Sequence, residues 1–506
     1  MRIWRYDRTD PEGRWPLRSG FDIHPPPKHT QGGPAMKDNP QRRKRAPRLA
    51  GRHLLAAKAG LIALLLPAAA GLSAQTTVVH WNADGALQPG QYGAVYSPKA
   101  TMTRVYPGLG LEVTPLAPGF DVAAFERLAE DLVAQGKVPG MAMAIVHDGQ
   151  IVSARGYGVT DVNQPEAVDA HTVFRLASLS KSFAATATGL LVSQGRLRWD
   201  SRIVDYYPTL QLSDPVATQQ LSVADVLSHR VGITRNAFDR DLEHDADYAS
   251  LVQKMAYVPM RCAPGDCYAY QNIAYSLVGS VVQGTSGEPY EQWVSTHLFK
   301  PLGMTDASYG LDGITASARW AKPHVRVRNG WSAVFPKPAY YRVAPAAGVN
   351  ASISDMAQWL LAQGGHRPDV LPGSLLATLH APLIDTPAET RGSGWRRERL
   401  NAAGYGLGWR IFDYAGHRLV FHGGAVQGYR GVVALLPEHD LGVAILWNAN
   451  SNAPSGLLPT IIDRALGLPG QPWIEGETEA LEEGLLAAEP PKPAANAPSQ
   501  AGGAPK

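Results

Sequence analysis

A chain of 506 residues, 45% hydrophobic and 18% charged, carries enough apolar material for a large folded core and is neither disordered nor fibrous in composition. Its formal charge of +3 is unevenly placed: residues 1–74 hold 14 of the 47 basic and 5 of the 44 acidic side chains, leaving 33 basic against 39 acidic. An acidic body without a basic stripe interleaved with aromatics argues against nucleic acid as a partner.

In chain order, residues 1–40 are polar, rich in Pro and Gly and without period, and Met36 is an alternative start to Met1. A basic run at Arg42, Arg43, Lys44 and Arg45 precedes an apolar stretch, Ala59–Leu72. That stretch of about 14 residues falls short of the roughly 20 that span a bilayer as a helix. Ser73 and Ala74 then supply small residues for cleavage before Gln75. The expectation is an N-terminal extension and export signal over residues 1–74, cut after Ala74. The mature chain then has no transmembrane span and is periplasmic or secreted. The paired arginines suggest twin-arginine export, but no Phe-Leu-Lys follows them, so the route stays open. Residues 75–120 form a lead-in.

The body begins where Asp121 caps a helix carrying Phe125, Leu128 and Leu132 on one face. Gly140–Val146 and Gln150–Arg155 flank Asp148-Gly149, a hairpin signal. Ser178-Leu-Ser-Lys181 opens an apolar run from Ala184 to Val192 that stops at Gly195. On a helix the pair share one face, with Ser178 at the N-terminus, where free N–H groups favour negative charge. Residues 178–283 read as helices and long loops, with an amphipathic helix over Leu221–Arg230. Further helices are expected within Thr285–Met304 and over Ser352–Ala362, the latter capped by Ser352 or Ser354. Gly404–Phe412, Arg418–Phe421, Val432–Leu436 and Val443–Trp447 read as strands, and Leu457–Leu466 as a closing helix. Residues 468–506 turn acidic and then Pro/Ala-rich, a disordered tail. Strands near both ends of the body around a helical insertion predict an α+β fold: an antiparallel sheet flanked by helices, plus an all-α region.

Only two cysteines occur, Cys262 and Cys267, around a turn-forming Ala-Pro-Gly-Asp. In an oxidising compartment they predict a short-loop disulfide. Two thiols cannot build a structural zinc site, and no His-Glu-x-x-His occurs, so neither metal nor other cofactor is expected.

Three clusters carry chemistry. Ser178 and Lys181 supply a weak nucleophile, a basic partner one turn on and an anion site, the ingredients of acyl transfer. Alone, such a pair arises by chance in a chain this long. Tyr270 serves as a general base only if cations such as lysine pull its pKa down from about 10. Asn272, two residues on, points the same way and suits a substrate carbonyl or the lysine. The plain alternative makes Tyr270 one of 19 tyrosines lining a core. In His422-Gly423-Gly424-Ala425, the glycines let a substrate backbone approach a strand edge. His422 is placed to donate to a substrate carbonyl or carboxylate, and the Ala425 N–H to complete an oxyanion hole with that of Ser178. A lone histidine at a strand end is otherwise structural.

In this order, and roughly 90 and 150 residues apart, Ser178-x-x-Lys181, Tyr270-x-Asn272 and His422-x-Gly424 resemble the three active-site motifs of the penicillin-recognising serine hydrolases. The nearest branch holds class C β-lactamases, D,D-peptidases of similar fold, D-aminopeptidases and related carboxylesterases. Leu221–Gly232, Ala347–Met356 with Trp359, and Tyr405-Gly-Leu-Gly-Trp409 extend the likeness over residues 121–467. The resemblance implies a β-lactamase/transpeptidase-like domain. In it Ser178 attacks a carbonyl, Lys181 and Tyr270 handle its proton, and Asn272 holds the acyl side chain. His422 stabilises the Tyr270 network or binds a carboxylate. The chain departs from class C in lacking Lys-Thr-Gly or Lys-Ser-Gly: His422, mostly neutral at pH 7, replaces a permanent ammonium. It has no Ser-Asp-Asn and no Gly-x-Ser-x-Gly elbow. The expected activity is acyl-serine hydrolysis of a β-lactam, a D-amino-acid amide or peptide, or an ester. The alternative is a cell-envelope penicillin-binding sensor or scaffold with little or no turnover.

Overall fold

The computed structural model describes residues 113–392 and 394–477, preceded by a short antiparallel strand pair, Val79–Trp81 and Leu87–Pro89. The export signal and its cut after Ala74 lie outside the described residues, as does the tail beyond residue 477.

Asp121 accepts from the Ala123 N–H at 3.0 Å and starts helix Val122–Ala134 (α1). Asp148 and Gly149 then hold φ of 52° and 68°, a turn whose twist matches the strands it joins. Gly140–His147 (β1) and Gln150–Gly158 (β2) therefore fold back on each other. Six more strands follow a long helical insertion: Ile384–Asp385 (β3), Leu400–Tyr405 (β4), Arg410–Tyr414 (β5), His417–Val426 (β6), Tyr429–Leu436 (β7) and Leu441–Trp447 (β8). All pairings are antiparallel, in the order β3-β4-β5-β6-β7-β8-β1-β2. β8 pairs with β1 from Leu441↔His147 to Trp447↔Met141, so the two ends of the body meet inside the sheet.

Side chains alternate across this sheet. Ala142, Ala144, Val420, Val433 and Leu446 face the helical insertion. Met143, Ile145, Phe412, Leu419 and Val443 face the other way, against α1 and the closing helix, Leu457–Leu466. Within the insertion, Ser180–Ser193 (α2) is buried from Ser180 to Leu191. A helix apolar nearly all round belongs in a core. Its hydroxyls are spent internally, with Thr186 and Thr188 each donating to the carbonyl four residues back. Phe183 stacks on Trp359 of Ile353–Gln363, ring centroids 3.9 Å apart. Ser352, not Ser354, caps that helix in a reciprocal box with Asp355.

The α+β architecture matches the sequence expectation, with three differences in detail. Leu221–Arg230 is helical only over Val223–Leu227: a Ser222–Asp225 capping box starts it, and His229, at φ 59°, breaks it. The single strand expected at Gly404–Phe412 is two, because the chain reverses through Gly406, Leu407, Gly408 and Trp409 between β4 and β5. Residues 468–477, assigned to the tail, are anchored by one buried side chain: Trp473 is 7% exposed and donates to Asp463 at 2.9 Å.

Gly408 holds φ +76°, and a Cβ there would lie 2.7 Å from the Lys181 carbonyl oxygen and 2.7 Å from Ala185 Cβ. Gly408→Ala therefore combines a left-handed alanine with a collision against α2. It should cost about 2 kcal/mol or more, read as a lower urea midpoint at unchanged m-value.

Candidate active site

The turn before α2 is built under strain. Ala177, buried and not glycine, holds φ +50°, a conformation that persists only where surroundings enforce it. The Leu176 N–H donates to the Val349 carbonyl, Ser180 Oγ donates to the Ala177 carbonyl at 2.6 Å, and the Val349 N–H donates to Ser180 Oγ. On the other side Gly424 of β6 presses close: a Cβ there would sit 2.4 Å from the Leu176 oxygen. Ser178 is held half-buried in this turn, at the rim of a cavity of about 400 Å³.

Lys181, one turn on, is 0% exposed. Its Nζ lies 3.3 Å from Ser178 Oγ, 2.7 Å from Asn272 Oδ1 and 3.1 Å from the Ala346 carbonyl. Burial pushes its pKa well below the ordinary lysine value, against the opposing pull of Asp239 and with a smaller push from Arg410. A neutral amine has two N–H donors and one lone pair. Asn272 Oδ1 and the Ala346 carbonyl are pure acceptors and take the donors, which leaves the lone pair for the Ser178 hydroxyl.

Tyr270 comes from the extended segment after the Cys262–Cys267 disulfide. His229 fixes that segment: its carbonyl accepts from the Ala269 N–H, its Nδ1 accepts from the Gln271 N–H, and its ring lies 4.2 Å from that of Tyr270. The Tyr270 phenol does not meet the condition set for a general base, a lowered pKa. Burial raises it strongly, outweighing the hydrogen bond with Ser178 and the field of Arg410. The Lys181 amine, which was to lower it, lies 4.6 Å over the ring face and is itself driven toward neutrality. Both effects favour the protonated phenol.

Asn272 and His422 both spend polar atoms on protein partners. Asn272 lines the cavity, but both ends of its amide are engaged: Oδ1 accepts from Lys181 and Nδ2 donates to Asp239 at 2.8 Å. Of the two partners open to it from sequence, it holds the lysine, and it keeps a second N–H and a second lone pair on the cavity wall. His422 is 1% exposed and does not line the cavity. Its Nδ1 donates to the Gly423 carbonyl at 2.8 Å, and Nε2 accepts from Tyr405 at 3.1 Å. Burial, reinforced by the Arg410 guanidinium, pushes its pKa well below the ordinary histidine value. Neither nitrogen is free for a substrate carboxylate. The open groups of this strand are Gly423, Gly424 and Ala425, on the stretch of β6 past Phe421 where pairing with β5 ends.

Several site residues escaped the sequence reading. Asp239 lines the cavity beyond Asn272, its carboxyl pushed up by burial. Arg410, from β5, stands 5.7 Å from the Tyr270 ring and shares Glu389 with Arg396. None has a local signal, since each reaches the site through a partner far away in sequence. Among the described residues, one group has metal-ligand character: His417, Glu438 and His439, with candidate atoms within 4.8 Å of one another, at the opposite end of β6 from Ala425.

The family model described as Beta-lactamase matches residues 125–466. The chain belongs to that family. Its fold is β-lactamase/transpeptidase-like. Among curated proteins it is 25% identical over 405 residues to the unguisins hydrolase ungD of Aspergillus violaceofuscus, covering 71% of this chain and 68% of that one. It is 24% identical over 337 residues to protein flp of Staphylococcus aureus, covering 64% of this chain and 63% of that protein. Among solved structures, the octameric penicillin-binding protein homologue of Pyrococcus abyssi superposes with a TM-score of 0.62 at 24% identity, covering 73% and 82% of the two chains. The D-amino acid amidase of Ochrobactrum anthropi SV3 gives 0.55 at 21% identity, over 72% and 99%. The hydrolase EstCE1 gives 0.57 at 20%, over 68% and 97%.

The field of Asp239 raises the Lys181 pKa, so removing it lowers that pKa further. If neutral Lys181 is the base, kcat/KM falls as pH drops through the Lys181 pKa, and Asp239→Asn moves this acid limb to lower pH. An acid limb that stays put in Asp239→Asn assigns the titration to another group.

Proposed function

We propose that the protein is a serine acyl hydrolase working through an acyl-enzyme at Ser178. Lys181 as neutral amine takes the Ser178 proton while Oγ attacks a substrate carbonyl. The N–H groups of Ser178 and Ala425 receive the oxyanion. Tyr270, hydrogen-bonded to Ser178 and protonated, donates to the departing amine or alkoxide. A water then enters from the cavity, gives its proton back through the same groups and releases the acid. The observation that carries this reading is the Lys181 amine, 3.3 Å from Ser178 Oγ and fully buried between two acceptors. Membership of the β-lactamase family, with a D-amino acid amidase and a hydrolase of promiscuous acyltransferase activity among chains of similar fold, supports it.

We further infer an exported enzyme. The basic run, the apolar stretch and the small residues to Ala74 support it, as does the Cys262–Cys267 disulfide. No helix among the described residues is long and apolar enough to cross a membrane.

Intact-mass spectrometry with a fluorescent penicillin and an activated ester tests the chemistry. The expected result is a covalent adduct or turnover that Ser178→Ala abolishes, with kcat lowered about 10²–10⁴-fold in Lys181→Met, the typical worth of a positioned base. A lasting adduct without turnover identifies a sensor or scaffold in place of an enzyme. Full turnover by Ser178→Ala overturns the assignment. Mass analysis of the exported protein checks for an N-terminus at Gln75.

A further inference from the structure

Beyond Phe421, β6 has no strand partner on its β5 side among the described residues, and the cavity wraps round that edge from Ser178 onto the face of the sheet turned away from α2. On that face Phe421, Gly423 and Ala425 alternate with His422 and Gly424, which point the other way. Gly423 keeps the passage clear: the nearest neighbour of a Cβ there would be the Phe421 ring, 3.5 Å away. Past it lies Arg430 of β7, directly opposite Ala425 and next to Trp447 of β8. Among the described residues Arg430 has no ion pair, and its buried Nε has no hydrogen-bond partner.

The charge around it is one-sided. Arg235, Arg396, Arg410 and Arg430 all line the cavity, with Asp239 its one acidic wall residue among those described. Glu389 is divided between Arg396 and Arg410. Asp239 is held by Asn272 and faces Lys181. Glu477 stands beside Arg396 in an adjoining hollow. Among the described residues no carboxylate is left for Arg430. A guanidinium presents a planar fork matched to a carboxylate, and one half-buried without a counter-charge lacks the partner that normally offsets its desolvation.

We propose that Arg430 is the anion subsite of this cavity and that the substrate carries a carboxylate within a few bonds of its scissile carbonyl. This deepens the acyl-serine reading and rests on it. The carbonyl lies between Ser178 Oγ and the Ala425 N–H, and the carboxylate lies across Gly423 against Arg430. Positive charge is supplied from β7 and the neighbouring arginines, not from the third motif on β6. Substrates bearing a free ammonium at this place, such as amino-acid amides, are disfavoured by the same field.

Calorimetric binding to the Ser178→Ala protein separates the two readings. Three esters serve as probes: neutral phenyl acetate, 3-carboxyphenyl acetate with the acid on the leaving group, and monophenyl succinate with the acid on the acyl side. At least one acidic ester should bind about tenfold tighter than the neutral one, and which one it is reports the side. That advantage should shrink in 1 M salt and fall to within about twofold in Ser178→Ala/Arg430→Gln, while Arg430→Lys retains part of it. Equal binding of acidic and neutral esters overturns the subsite. So does an advantage that survives Arg430→Gln in a protein of unchanged melting temperature. If Ser178→Ala hydrolyses the esters as fast as the parent, the acyl-serine reading fails, and early-time binding still reports on Arg430.

Discussion

Lys181 has no exposed surface, and its Nζ is enclosed by oxygens from three separate segments: the turn at Ser178, the strip carrying Asn272 and the carbonyl of Ala346. Taking an ammonium out of water is costly unless several strong partners replace its hydration, and burial shifts such a group toward the neutral amine. The packing around the site follows from keeping water away from this atom. α2 is buried along nearly its whole length, Gly408 lets the β4–β5 reversal seat on the Lys181 carbonyl, and Gly424 lets β6 close against Leu176. Each of those glycines is a contact in which a single methyl group would displace the lysine or the serine.

The electrostatics divide the labour. A buried amine tends to lose its proton and a buried phenol to keep its own, so the same desolvation favours the neutral amine at Lys181 and the neutral phenol at Tyr270, the two states the proposed mechanism needs. His422 is neutral and spends both ring nitrogens on protein partners, which ties Tyr405 and the open end of β6 into the aromatic cluster around His229. Permanent positive charge reaches the cavity as guanidinium groups from other elements, Arg410 nearest Tyr270 and Arg430 on the far face of the sheet. This arrangement keeps cations out of contact with the lysine that must stay neutral, while leaving the cavity attractive to an anion.

Local chemistry was legible in the sequence. Asp148-Gly149 marked the hairpin, Ser352 or Ser354 a cap, and serine and lysine three apart marked one helical face. Period and turn residues specify such features within a few positions. Features decided by packing were not legible. Gly404–Phe412 reads as one strand because its alternation is strand-like throughout, and only the closeness of α2 explains a reversal at Gly408. Whether the Tyr270 pKa is lowered could not be read from sequence, which names its cationic neighbours but not the burial of the phenol. Asp239 and Arg410 carried no signal at all, since their partners, Asn272 and Glu389, lie 33 and 21 residues away.

The central claim is that Lys181 is a neutral amine at the pH where the protein works. A direct measurement is the NMR titration of the folded protein labelled at lysine Cε or Nζ, with Lys181→Met assigning the resonance. The account predicts one lysine signal titrating well below the ordinary value of 10.5, absent in Lys181→Met, and moving to lower pH still in Asp239→Asn. A Lys181 signal that titrates with the surface lysines would contradict it, because a buried ammonium cannot take the Ser178 proton.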